Sequence, residues 1–182
     1  NVVIVLFDDL GFAQLGCYGS TIDTPEVDAL AADGLRYTNF HVTPLCSPTR
    51  AALLTGRNHH TAGMRGVSNF NTGFPHMTGH VSPHTATLAE VLHDEGYATF
   101  AVGTWHLAPM EQCSQAGPFD HWPCQRGFDR FYGFLDGETD QFSPSLTYDN
   151  HMIEPPARPE DGYHVSEDLV DKAIEFVHDT KS

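Results

Sequence analysis

Two kinds of hydrophobic pattern divide this chain. Val2-Val3-Ile4-Val5-Leu6-Phe7 is a continuous, largely β-branched run that stops at Asp8-Asp9, the pattern of a strand buried on both faces of a parallel sheet. Arg36 to Val42 and Ala98 to Val102 read as two further strands, the latter buried. Helical patterns lie between them. Thr24-Pro25 supplies an N-cap and a first helical position, Val27, Leu30 and Ala31 an apolar stripe, and Gly34 a stop. A second helix is predicted over Pro48 to Thr55, closed by Gly56. Thr87-Leu88-Ala89-Glu90 is a capping box that opens a third, running through Leu92 to Glu95 and stopped by Gly96. Ser166 is the predicted cap of a fourth helix. Glu167 and Asp168 would sit at the positive end of its dipole, with Leu169, Val170, Ala173, Ile174 and Val177 as its apolar face.

The remaining segments have no period. Gly66 to His84 is polar and rich in Gly, Pro, Asn and His, which reads as one long loop. Residues 108–165 mix Gly, Pro and aromatics and yield only a short strand at Leu146 to Tyr148. Strands alternating with helices predict an α/β fold with a mostly parallel sheet flanked by helices, whose ligands bind outside the carboxyl ends of the strands. Asp8-Asp9, Cys46 to Arg50 and Thr104 to His106 are the three polar clusters placed to meet there. Both ends look cut: Asn1 leads straight into an apolar run, and Lys181-Ser182 follows directly on a helical pattern.

Composition narrows the possible partners. In 182 residues, 24 acidic side chains face 9 basic ones, for a formal net charge of -15. Such a surface repels phosphate backbones, so nucleic acid is excluded as an expected partner. An acidic protein acting on an anionic ester needs positive charge placed at the site itself, from a few cations or from a metal. The four cysteines, Cys17, Cys46, Cys113 and Cys124, form no CxxC pair, which argues against a zinc ribbon or a dense disulfide scaffold. The spacing permits a Cys113–Cys124 bridge without compelling it. No apolar run reaches the length of a membrane span and no leader precedes Asn1, so a soluble protein with no membrane partner is expected.

Each polar cluster has a bland and a chemical reading. Asp8-Asp9 is either a solvated turn or a carboxylate pair holding a divalent cation, since like charges at close range oppose each other's ionisation until something positive lies between them. Hard oxygen ligands of this type suit Ca2+ or Mg2+. Cys46 is either a core cysteine ahead of an ordinary helix or a nucleophile beside Arg50 at a helix N-terminus, where a thiol's pKa is lowered. The 12 histidines invite over-reading. His59, His60, His76, His80, His84 and His121 fall in loops without paired zinc spacing and read as solvated or hydrogen-bonded. Only His106, at a strand's end, stands apart. Neither GxGxxG nor a Walker A motif occurs.

Cys46-Ser47-Pro48-Thr49-Arg50, followed by Ala51-Ala52-Leu53-Leu54-Thr55-Gly56-Arg57, resembles the signature of the type I sulfatases. Asn1 to Asp9 with Gly11, the Thr24-Pro25 helix, Gly103-Thr104-Trp105-His106-Leu107, Pro118 to Phe134 and Tyr148-Asp149-Asn150 resemble landmarks of the same family in the same order. The resemblance therefore covers the whole chain and points most closely to bacterial arylsulfatases. It implies an alkaline-phosphatase/sulfatase-like fold of which residues 1–182 are an incomplete, N-terminal part; the sequence leaves the compartment open, with bacterial cytoplasm or periplasm as the expectation.

The resemblance also implies a chemistry. Cys46 would be oxidised by a formylglycine-generating enzyme to Cα-formylglycine, whose hydrated gem-diol attacks the sulfur of a small sulfate ester and later expels sulfate. His106 would be the base, and Arg50 would hold the diol and offset negative charge. Asp8, Asp9 and the modified Cys46 would ligate Ca2+, in preference to Mg2+. Two departures from the family pattern matter. Thr104 stands where the family has Lys, a contact to sulfate and nucleophile, so weakened activity is expected. A further His, a further Lys and an Asp-Asn pair lie beyond the reach of these residues in the family, so the fragment alone is expected to be weakly active or inactive. Two alternatives remain beside sulfate-ester hydrolysis: a phosphate or phosphonate ester hydrolase of the same superfamily, and a non-catalytic metal- or anion-binding remnant.

Overall fold

A computed structural model describes residues 1–180; Lys181 and Ser182 lie outside the described residues. The chain divides into two compact units, residues 1–43 and 44–182.

The first unit has one helix, α1, over Pro25–Asp33, where the proline and its preceding threonine predict it. Thr24 Oγ1 accepts from the Gly16 amide at 2.9 Å and donates to Asp28 Oδ1 at 3.1 Å, while Asp28 Oδ1 also accepts from the Cys17 amide at 2.6 Å. The helix is thus tied to the turn before it by polar contacts alone, for no residue of this unit is buried. The strands expected at Val2 to Phe7 and at Arg36 to Val42 do not form: both stretches are irregular and exposed, and neither has a ladder partner among the described residues. An apolar run supplies side chains for two buried faces, but a strand also needs a neighbour for its amides and carbonyls.

The second unit holds the core. Helix α2, Cys46–Thr55, starts two residues earlier than predicted and closes at Gly56 in the left-handed conformation, φ 63°. Helix α3, Leu88–Asp94, has the predicted capping box, with Thr87 Oγ1 accepting from Glu90 N at 3.1 Å and Glu90 Oε2 accepting from Thr87 N at 2.6 Å. Four strands follow in the order β1 (Phe100–Thr104), β2 (Arg130–Phe134), β3 (Leu146–Tyr148) and β4 (His151–Ile153). β1 is shifted two residues from the prediction and is half-buried rather than buried.

The sheet is mixed. β1 and β2 are parallel, while β2–β3 and β3–β4 are antiparallel. A mostly parallel sheet is therefore corrected: the last two strands form a hairpin about Asp149-Asn150, and a two-residue connection joins only antiparallel neighbours. β2 and β4 carry no readable period. Phe131 and Tyr132 are both buried because β2 is covered on both faces, so polar alternation is lost.

Successive β2 residues serve opposite clusters. Phe131 joins Ala51, Met64, Trp105, Leu107 and Trp122. Tyr132 joins Leu146, Tyr163, Val165 and Phe176. The latter two come from α4, Val165–Asp179, which packs on β1 and β2 and is capped by His164, whose Nδ1 accepts from Ser166 N at 3.2 Å, rather than by Ser166. Its inward face also differs from the predicted one. Phe176 is buried, with Leu169 and Ala173 half-buried, whereas Val170, Ile174 and Val177 form an exposed stripe.

Buried Arg126 pins the polar loop to this frame. Its guanidinium donates to the carbonyls of Val81 and Thr85, both at 2.8 Å, and to Glu90 Oε1 at 3.2 Å. All four cysteines are free thiols, so no Cys113–Cys124 bridge forms.

Candidate active site

Cys46 is the first residue of α2, at the helix end where backbone N–H groups and the dipole favour negative charge. Leu45 at the N-cap brings no side-chain acceptor to these amides. The next residue, Ser47, is fully buried and its Oγ accepts from the amide of buried Ser68 at 3.1 Å, which fastens the polar loop directly beside the cysteine.

His106 lies just past β1. The parallel pairing continues beyond the strand through Trp105 N to Phe134 O at 2.9 Å and His106 N to Leu135 O at 3.0 Å. His106 then turns into the left-handed region, φ 53°, a conformation in which histidine is enriched among non-glycine residues. The ring is buried, 5% exposed, and its Nδ1 lies 3.0 Å from Cys46 Sγ. Arg50, one turn into α2, donates from Nη1 to the backbone carbonyl of Thr104 at 2.7 Å. Cys46, Arg50 and His106 are thus brought together, and Thr104 takes part through its main chain.

Cys113 and Cys124 also belong to this unit. Burial, assisted by Asp136 and Glu111, pushes the Cys113 thiol up to about 11, and burial together with nearby Asp149 pushes Cys124 up to about 11. Both are held as neutral thiols at physiological pH, which is the state of a packing residue.

Two neighbours of His106, Asn69 and Gly137, and one partner of Asn69, Asp136, escape the sequence reading. Asn69 Oδ1 is 2.5 Å from His106 Nε2, and Asn69 Nδ2 donates to Asp136 Oδ1 at 3.1 Å and approaches Met110 Sδ at 3.0 Å. Gly137 presses on the ring: a Cβ added there would come within 2.4 Å of His106 Cε1. Asn69 sits in the aperiodic loop, and Asp136-Gly137 follow the unreadable strand β2. The usable signal was positional, since Asp136-Gly137 stand beyond a strand's carboxyl end just as Trp105-His106 do.

Asp8 and Asp9 belong to the first unit, where both are exposed and Asp9 adopts φ 52°. Their carboxylates match the hard oxygen donors that Ca2+ takes, but two residues fall short of its usual six to eight oxygens. Among the described residues no group of three or more His, Cys, Asp or Glu side chains is arranged to hold a metal. The donor type fits, and the donor number is partial.

The sulfatase family model matches residues 1–182. Rat steryl-sulfatase is 41% identical over 136 residues, which cover 73% of this chain and 23% of that protein. Among solved structures, that of Ps i-CgsB covers 95% of this chain and 40% of its own, at 27% identity and TM-score 0.78. A protein solved with its substrate D-glucosamine-2-N,6-O-disulfate covers 90% of this chain and 28% of its own, at 26% identity and TM-score 0.65. The chain belongs to the sulfatase family. It spans about a quarter of the length of the curated relatives it matches, from 22% to 28%. No helix among the described residues is long and apolar enough to cross a membrane.

Proposed function

We propose that the protein carrying this chain hydrolyses sulfate monoesters of the arylsulfatase type, with position 46 converted from cysteine to formylglycine, and that residues 1–182 form the N-terminal part of its catalytic domain. The observation that carries the reading is the 3.0 Å approach of His106 Nδ1 to Cys46 Sγ within a chain of this family. The thiol sulfur marks the place of the oxygens that the converted residue would present.

A formylglycine, once hydrated, would offer two hydroxyls on one carbon: one attacks sulfur as the S–O bond to the alcohol breaks and the alcohol departs with a proton, and the other, losing its proton, re-forms the aldehyde and expels sulfate. The chain's own residues arrange the rest. His106 is within hydrogen-bonding range of position 46, and a neutral imidazole nitrogen there accepts a proton from the releasing hydroxyl. Arg50 holds its guanidinium beside the same helix turn by bonding to the Thr104 carbonyl, where it offsets negative charge developing on the sulfate. The N-terminal amides of α2 act in the same sense. Asp8 and Asp9 would supply part of a ligand set for Ca2+, in preference to Mg2+, and such a cation would polarise the oxygens of an anionic ester.

The decisive experiment is mass spectrometry of the Cys46 peptide after co-expression with a formylglycine-generating enzyme, joined to turnover of an aryl sulfate and an aryl phosphate by the intact protein. Formylglycine mass with preference for the sulfate ester is expected. Preference for the phosphate would replace the substrate class, and a persistent thiol would leave a non-catalytic member of the family. Calcium titration by calorimetry should show weaker binding in Asp8→Ala and Asp9→Ala than in the parent protein.

A further inference from the structure

The imidazole of His106 has two chemically distinct nitrogens, and its use depends on which one carries the proton. Nδ1 faces position 46 at 3.0 Å and Nε2 faces Asn69 Oδ1 at 2.5 Å. An amide can present either its oxygen or its nitrogen, and the neighbouring network decides which. Here the decision falls to Asp136, whose ionised carboxylate can only accept. Asn69 Nδ2 donates to Asp136 Oδ1 at 3.1 Å, and that same oxygen is fixed from behind by the Gly137 amide at 2.7 Å. With its nitrogen committed to Asp136, Asn69 must offer its oxygen to His106. Nε2 therefore carries the hydrogen, and Nδ1 keeps its lone pair toward position 46.

Two further contacts hold this chain of bonds in place. Ser68, the residue before Asn69, is bonded through its amide to the buried hydroxyl of Ser47, the residue after Cys46. Gly137 closes the other side, leaving no room for even one carbon between its backbone and the ring.

We infer that Asn69 is a positioning residue that fixes the tautomer and orientation of His106 for the reaction at position 46, with Asp136 in turn fixing the amide of Asn69. Neither residue needs to touch substrate. The inference rests on the reading of His106 as the group that serves position 46, but its first test does not depend on turnover.

The test is nitrogen-15 NMR of histidine-labelled intact protein, at a pH where the ring is neutral, in the parent and in Asn69→Ala, Asn69→Asp and Asp136→Ala. The parent should show His106 with the proton on Nε2. Asn69→Ala should change the tautomer ratio by about fivefold, the effect of one net hydrogen bond, and lower kcat for aryl sulfate by a similar factor at unchanged KM. Asn69→Asp sets two carboxylates against each other and should perturb the ring as well. Asp136→Ala removes the acceptor that orients the Asn69 amide and should move the tautomer ratio in the same direction as Asn69→Ala by a smaller factor. An unchanged His106 spectrum in Asn69→Ala would overturn the inference, and an unchanged spectrum in Asp136→Ala would overturn the role given to Asp136. A parent protein with no sulfatase turnover, but with the expected spectral changes, would overturn the proposed function and leave the positioning role standing.

Discussion

Val2 to Phe7 and Phe100 to Thr104 are both apolar runs that end in a polar cluster, yet only the second is a strand. The first is exposed throughout, from 38% at Leu6 to 80% at Val3. The second lies residue for residue beside β2, with Gly103 opposite Gly133, and delivers His106 to Cys46. Hydrophobicity alone does not separate them. What differs is a parallel neighbour able to take the amides and carbonyls, followed by two hydrophobic clusters that seal the pair on opposite faces. A polar cluster at the end of a run becomes geometry only where the run has been built into a sheet.

The largest expected effect tests what the second run delivers. Thr104→Lys in the intact protein should raise sulfate-ester turnover by a factor on the order of 10² to 10³, the scale of one preorganised charge contact. Equal turnover of the two forms would show that position 104 adds nothing. The next attacks the ladder. A Cβ at Gly133 would lie 2.0 Å from the Gly103 carbonyl oxygen, so Gly133→Val should cost about 3 kcal/mol or more in denaturant unfolding, since two backbones rather than a flexible side chain must move. Arg126→Ala should cost about 2–3 kcal/mol, because two loop carbonyls lose their donors and Glu90, only 35% exposed, loses its cation.

A smaller effect follows from pH. Burial, with His80 stacked at 3.8 Å and Arg126 nearby, outweighs Asp120 and pushes His121 from 6.5 down to about 4. The unfolded chain therefore binds a proton between these values that the folded chain resists. Stability should be complete above pH 6.5 and decline as the pH falls toward 4, with a slope below about 1.4 kcal/mol per pH unit because the ring is partly exposed. His121→Phe should flatten that part of the profile. The smallest effect belongs to the first region, where Val5→Thr should change stability by less than about 0.5 kcal/mol. A loss of several kcal/mol there would mean that the run is buried in the working protein, and the comparison would collapse.

Local chemistry was the legible part of this chain. The capping box at Thr87, the proline start of α1, the glycine stop of α2 and the pairing of the Cys46 motif with Thr104 to His106 all depend on residues close in sequence or on a strand-end rule, and all appear. Illegible parts depended on distant partners. β2 lost its alternation because both faces are covered, α4 packs through Phe176, which the predicted apolar face left out, and the amino-terminal run contained no information about who would pair with it. At the candidate site the same division holds. His106 stood out from the sequence, whereas Asn69 and Asp136 became visible only when a loop and a strand end were seen to flank it.

One contact bears on how such a site can change over time. Arg50 is secured by a main-chain carbonyl, a group that every amino acid at position 104 possesses. Mutation can therefore exchange threonine and lysine there, adding or withdrawing a charge, without dislodging the arginine. Position 104 can thus carry a neutral or a cationic side chain while this main-chain anchor of Arg50 is kept.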